Sequence, residues 1–446
     1  MARFNLRALW PGMVAAVACA VAVSAAAQVP REILALSPDV RGLGADAAAK
    51  WKSVDLRDGE DGTLAGTNSY GINAADFDRD GDLDLVVAFQ SGGAKIPDED
   101  REYGMVYWLE NLAPPPDSGL AFRIHPLDDR QVTPKDAVVV RRTAGGNTAV
   151  VVPCYLSGET VIYETLDEES WRKLSLRSKA LELPVRAVVA DVDGDDLDDI
   201  VVTSISESGR KVGWFRQNSS ESEPWEEMPI RVNLPPIIGV DAGDVDLDGD
   251  LDLVCASEHA SRPFLLINTD GKGTEWKRDS IRVESPDSVR RWVARFSDKP
   301  LSQVHARFAD LDGDGDLDCV ETSLRNGYLA WRERLGSGME WKFHKIAGGL
   351  GHAYSFDLGD VDRDGRLDIV VPSDGGDGVY VFRNVRGDGT MWEATRLGEG
   401  AGLNWPNIVR LADLDGDGYD DVMSTDWGTR AVVWINPLAP AKEDHE

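Results

Sequence analysis

One nine-residue pattern recurs six times in this chain and limits the possible folds more than any other feature. The pattern is Asp-x-Asp-x-Asp-Gly-x-x-Asp, followed by an apolar run. It begins at Asp76, Asp191, Asp244, Asp310, Asp360 and Asp413, with starts separated by 115, 53, 66, 50 and 53 residues. The first interval is close to twice the others, which predicts one further unit that lacks the acids. That unit is visible at 133–176, where the apolar runs persist but Arg141-Arg142-Thr143-Ala144-Gly145-Gly146-Asn147 replaces the loop. A sustained period of this length marks a repeat architecture, and local readings follow from it.

Each unit reads as four short strands. An apolar strand enters the loop and a second leaves it. A third carries an aromatic, as at 106–111, 212–218, 329–334, 379–384 and 432–437, and a fourth begins with Trp at 225, 276, 341 and 392. Short strands at even spacing are the signature of propeller blades. The last unit stops after its third strand at Pro437, and its missing fourth strand is found at 51–56, as WKSVDL. An all-β, seven-bladed propeller is therefore predicted over 51–437, closed by its N-terminal strand so that no sheet edge is left open. Residues 28–50 read as a linker and 438–446 as a tail.

The loops predict metal. Carboxylates at positions 1, 3, 5 and 9 around a tight turn place several hard oxygens about one small sphere, which suits Ca²⁺. The candidate ligands are Asp76, Asp78, Asp80 and Asp84; Asp191, Asp193, Asp195 and Asp199; Asp244, Asp246, Asp248 and Asp252; Asp310, Asp312, Asp314 and Asp318; Asp360, Asp362, Asp364 and Asp368; and Asp413, Asp415, Asp417 and Asp421. Position 6 is Gly in five loops and Asp196 in the other, so the loop starting at Asp191 is expected to bind more weakly and five or six Ca²⁺ are expected. An EF-hand would need Glu at position 12 between helices. Here that position is Val87, Val202, Cys255, Glu321, Val371 or Ser424, with β-branched flanks. The formal net charge of −31 argues against nucleic acid as a partner. Thirty of the acids lie in the loops, and so many close carboxylates repel one another unless a cation joins them.

These loops with their flanking strands resemble FG-GAP/VCBS repeats, known from integrin α-chain propellers and many secreted bacterial proteins. The repeats of aldos-2-ulose dehydratase look similar. The resemblance implies that the loop joins the first and second strands of each blade on a lower face, with these aspartates as ligands.

Residues 1–27 read as a secretory signal peptide. Arg3 and Arg7 precede a small apolar run from Met13 to Ala27 that ends in Ala25-Ala26-Ala27. Cys19 leaves a lipoprotein as an alternative. No later run is long enough to span a membrane. The expected location is secreted, periplasmic or cell-surface after cleavage. Cys154, Cys255 and Cys319 lie in apolar runs and read as buried small side chains.

Function is expected on the opposite, upper face, where 90–104 and 284–304 enlarge two connections. Three tryptophans depart from the repeat: Trp292, Trp405 and Trp427. With Asn404, Asn407 and Asp426 beside them they could stack on a sugar ring and bond its hydroxyls, or else simply pack a loop. His259, His305 and His352 fall on three consecutive blades, near Glu258, Glu321 and Asp374. Together they form a candidate site for one transition metal or for a general base. Three functions stay open. The first is a binding module for carbohydrate or an extracellular protein. The second is a carbohydrate lyase or dehydratase with His305 or His352 as base, Arg325 or a metal stabilising an enolate-like charge, and Tyr354 as acid. The third is a structural, adhesive propeller.

Overall fold

A computed structural model describes residues 51–438, apart from 60–61, 65, 94, 96–101, 113–119, 143–146, 168–169, 179, 210, 221–223, 284–285, 295–296, 298–300, 337, 375–377, 398–402 and 404, together with 35–36 and 40–42. The signal-peptide reading, the tail and Asn404 lie outside the described residues.

Seven sheets follow one another, each built on the four antiparallel strands that the repeat predicts; Ala35–Leu36 and Arg282–Val283 add to the outer edge of the fifth and Val40–Gly42 to that of the sixth, so the stretch read as a linker pairs in part with the propeller. Blade 1 runs Thr67–Ala75, Asp84–Ser91, Gly104–Asn111 and Phe122–Gln131. Blade 2, without acids, opens with Val138–Arg141 and Thr148–Cys154. Blades 3 and 4 start at Pro184–Ala190 and Gly239–Gly243. Blades 5 and 6 start at His305–Ala309 and Asp357–Gly359. Blade 7 begins with Pro406–Ala412 and ends on Lys52–Asp55, which pairs antiparallel with Ala431–Ile435. The N-terminal strand thus completes the last blade, as its sequence required.

Alternation along the strands sets the core. The second strands are apolar on both faces because they lie mid-blade between two neighbouring blades, and Asp84–Ser91, Asp199–Ser204 and Asp368–Ser373 are almost wholly buried. Each seam fills with side chains from two blades: Val192 and Trp214 of blade 3 pack with Val240, Leu253 and Phe264 of blade 4. The first strands crowd at the axis. A Cβ on Gly71 would lie 2.7 Å from the Ala137 backbone nitrogen, and one on Gly239 would lie 2.7 Å from the Val304 carbonyl. Only glycine lets these backbones approach so closely.

Polar clasps repeat between blades. The Asn that follows a third strand donates its amide to the position-2 carbonyl of the preceding blade's loop: Asn111 to Leu414 (3.0 Å), Asn268 to Val192 (3.2 Å), Asn384 to Leu311 (2.9 Å) and Asn436 to Val361 (2.8 Å). Gln217 makes the same bond to Arg141 of the acid-free blade. Blade 5 carries Arg334 at this place, and its Nη1 and Nη2 have no hydrogen-bond partner.

The enlarged connection at 284–304 contains a helix, Pro286–Val293. Pro at its first position, Asp287 in the first turn and Arg290 and Arg291 in the last suit the helix dipole. Val289, Trp292 and Val293 are buried at i, i+3 and i+4 spacing. Among the described residues no helix is long and apolar enough to cross a membrane.

Candidate functional site

The lower face carries the acid loops of six blades, and they share one turn. The position-1 carboxylate turns back to accept backbone N–H groups from positions 4 to 6: Asp76 from Arg79, Asp310 from Gly313 and Gly315, and the loops at 191, 244 and 360 from positions 5 and 6. Asp191 accepts from Asp195 and Asp196 at 3.0 and 2.8 Å, and Asp360 accepts from Asp364 and Gly365 at 2.9 and 2.8 Å. Position 6 lies in the left-handed region in every loop, including Asp196 at φ 65°, so the loop without Gly keeps the shared turn. Position 9 fastens the loop to the blade. Asp84 accepts from Phe77 and Asn111, Asp252 from Val245 and Asn268, and Asp421 from Leu414 and Asn436, all through backbone N–H groups.

The remaining oxygens converge. One oxygen each of Asp76, Asp78 and Asp80 lies within 4.8 Å of the others; so do those of Asp191, Asp193 and Asp199, of Asp244, Asp246 and Asp248, of Asp310, Asp312 and Asp318, and of Asp360, Asp362 and Asp368. The Oδ1 atoms of Asp193, Asp246 and Asp362, all at position 3, are buried without a hydrogen-bond partner. Orphaned buried oxygens inside a ring of carboxylates fit a hard cation. Burial, aided by neighbouring carboxylates, raises the carboxyls of Asp84, Asp199, Asp252 and Asp368 to about 7 and those of Asp318 and Asp421 to about 8. A cation at these positions would hold them ionised. In blade 2 Arg142 stands where the other loops begin. It is buried, donates to Gln217 at 2.8 Å, and lies 3.6 Å from Glu164. A fixed side-chain cation thus stands in the blade that has no acids to collect a mobile one.

The upper mouth of the central channel takes its lining from the starts of the first strands. Lys135 Nζ sits 3.7 Å from the Tyr70 ring centre, Arg186 stacks 5.1 Å from that of Tyr354, and Tyr70 meets Tyr354 edge-on at 5.8 Å. Asp136 lies 3.4 Å from Arg186 and 3.7 Å from Arg410, and it accepts the Ala187 N–H of blade 3. Deeper in the channel Arg307 lies between Asp241 and Asp357, which accept the Phe308 and Leu411 N–H groups of the next blades.

The expected upper-face residues are dispersed among different surroundings. Trp292, expected as a stacking platform, is 5% exposed and packs against Tyr328 and Phe343, because the helix turns its apolar stripe inward. Trp405 is 39% exposed, at φ 59°, and its carbonyl accepts the Trp427 N–H. Trp427 is half-buried beside Tyr70 at 5.8 Å. Asp426 and Asn407 are buried, and their bonds hold the Arg430 turn and the Ser69 carbonyl respectively.

The histidines differ just as widely. His305 is 7% exposed, with Phe356 at 4.8 Å and a partnerless Nδ1. Its pKa is pushed well down by burial and by Arg186, Arg307 and Arg410. That cationic setting keeps the ring neutral and opposes a metal ion. His352 is exposed and pairs with Asp374, and His259 is exposed on its own loop. Glu321, expected near them, is fully buried against Arg332 at 2.7 Å and Tyr328 at 3.0 Å. Arg325 pairs with Glu258 at 2.6 Å. Tyr354 is half-buried at the mouth, its hydroxyl pKa raised by burial. His125 and His344, in two fourth strands, stack on Trp108 and Trp331 at 4.4 and 4.3 Å. Cys154, Cys255 and Cys319 are free and buried, as expected.

Sequence reasoning missed Lys135, Arg186 and the acids that face them. A signal was available: Asp241, Arg307, Asp357 and Arg410 each stand three residues before a loop, at a strand position that should otherwise be apolar.

The FG-GAP-like repeat family matches this chain at residues 191–255, 244–320, 310–371 and 360–424, together more than half of its length. The chain belongs to that family. Among solved structures it is similar to BBS1N, crystallised in complex with ARL6DN and soaked with mercury. The two are 13% identical with a TM-score of 0.51, over 89% of this chain and 99% of that one. A protein from Lactobacillus plantarum is 14% identical with a TM-score of 0.48, over 76% of this chain and 86% of that one. At these identities the likeness is one of fold. No curated protein matches the sequence.

Proposed function

We propose that this chain is a secreted, calcium-loaded propeller that recognises a carbohydrate at its upper mouth, with the calcium ions structural. The observation that carries this reading is the cluster of Tyr70, Tyr354, Trp405 and Trp427 beside charged groups at the channel mouth. Tyr70 packs 5.8 Å from both Tyr354 and Trp427, and Trp405 is exposed next to them. Aromatic faces with polar neighbours suit a sugar ring, whose C–H face stacks while its hydroxyls bond at the edge. The signal-peptide reading of residues 1–27 and the acid-rich surface suit an extracellular setting. The six loops fit five or six Ca²⁺, held chiefly by positions 1, 3, 5 and 9. The dispersal of His259, His305 and His352 speaks for binding rather than metal-assisted elimination. Glycan-array binding by the mature chain tests the reading. The double variant Trp405→Ala/Trp427→Ala should lose at least ten-fold in affinity while keeping its melting temperature, and unchanged binding would refute the stacking site.

A further inference from the structure

The charges at the mouth do not balance. Lys135, Arg186, Arg307 and Arg410 face Asp136, Asp241 and Asp357. Arg307 is taken by Asp241 and Asp357, and Asp136 is shared between Arg186 and Arg410 at 3.4 and 3.7 Å. Among the described residues the surplus cation is Lys135. It is 6% exposed, and among the described residues its contacts are to neutral groups: the Gln90 Oε1 at 3.1 Å and the Tyr70 and Tyr155 rings at 3.7 and 5.6 Å. Beside it Arg186, 3% exposed, has Nε and Nη2 atoms without a hydrogen-bond partner. A buried ammonium without a counter-charge is costly, as are unmade guanidinium bonds. This local positive excess occurs in a chain whose net charge is −31, so it does not follow from composition.

We propose that Lys135 and Arg186 hold the carboxylate of an acidic sugar, a uronate, whose ring lies against Tyr70, Tyr354 and Trp427. A carboxylate supplies the negative charge that is missing among the described residues. It accepts from the guanidinium nitrogens in the planar fork that Arg favours, and from the ammonium as a point charge. Burial, with Arg186 nearby, pushes Lys135 down to about 7, and a bound carboxylate would raise it again. Any small carboxylate shares the charge chemistry, and the aromatic lining favours one borne on a sugar ring. This inference rests on the carbohydrate reading above.

The test is titration calorimetry of the calcium-loaded mature chain with three probes: an oligouronide, the same oligosaccharide with its carboxyls reduced to alcohols, and acetate. The oligouronide should bind at least ten-fold more tightly than its reduced form, and Lys135→Gln and Arg186→Gln should each remove that preference. Melting curves report whether the variants fold. If Arg186→Gln does not, Lys135→Gln alone decides, because it removes the charge at nearly constant length. Equal binding of both oligosaccharides would overturn the carboxylate site and leave the carbohydrate reading intact. Binding of acetate alone, lost in Lys135→Gln, would uphold the carboxylate site and remove the sugar. No binding of any probe, or a preference that survives both substitutions, would overturn the inference.

Discussion

The two ends of the propeller are built by opposite rules. On the lower face one design repeats in six blades: the same left-handed turn at position 6, a position-1 carboxylate that caps the loop's own N–H groups, and the same position-9 tether to the third strand. At the upper mouth Tyr70, Lys135, Arg186, His305, Tyr354 and Trp427 come from six different blades, and no single motif is carried from blade to blade around the ring. Repetition suits a task that every blade must perform, namely holding its own loop and clasping its neighbour. Asymmetry suits recognition of one ligand on a pseudo-symmetric frame.

Stripping the metal should separate the two ends most sharply. Each calcium site held at a hundred-fold excess over its Kd contributes about 2.7 kcal/mol. Chelation should therefore lower the melting temperature by more than about 20 °C, read by calorimetry, whereas occupancy of the single upper site should move it by only about 5 °C. A comparable shift from both would erase the distinction.

The buried pair between Glu321 and Arg332 comes next. Glu321→Ala leaves the Arg332 guanidinium fully buried without its partner, so it should cost about 3–5 kcal/mol in denaturant unfolding. Calcium content should not change, because Glu321 points away from the loop.

Proton linkage sharpens the comparison further. The position-9 carboxyls are raised from near 4 to about 7 or 8 in the folded chain. For an acid whose folded pKa is raised, the stabilising contribution is complete below the unfolded value and is lost as pH rises through the folded one. Chelator-treated protein should accordingly be more stable at pH 5 than at pH 8, and calcium affinity should rise over the same interval. A flat pH profile in chelator would contradict the carboxylate cluster.

The inter-blade clasps should give a smaller effect. Asn436→Ala and Asn384→Ala each remove a buried amide bond to the neighbouring loop and should cost about 1–2 kcal/mol. The exposed Asp388→Ala, which removes only the two bonds from Thr390 within its own turn, should cost less than about 0.5 kcal/mol.

What could be read from the sequence follows the same division. The six loops, the acid-free blade, the four strands and the closing strand at 51–56 were all legible because each is one of several copies in register. The helix was partly legible: Val289, Trp292 and Val293 carry helical spacing, but within a connection that spacing is easily passed over, and Trp292 then reads as an exposed aromatic. The mouth was the least legible. Lys135 and Arg186 lie outside the loop motif, and what brings them together is the ring closure of blades 2 and 3. The expected meeting of His259, His305 and His352 rested on repeat register alone. Register fixes the blade and the height along the axis, but not whether a side chain turns into the channel, as His305 does, or out to solvent, as His352 does.

Metal content tests the central claim most directly. Mature protein dialysed against weakly chelating buffer should retain five or six calcium ions per chain by elemental analysis, and Asp312→Asn combined with Asp318→Asn should remove one of them. A chain that retains no calcium, yet melts at the same temperature with and without chelator, would contradict the account of the lower face and of what holds the ring closed.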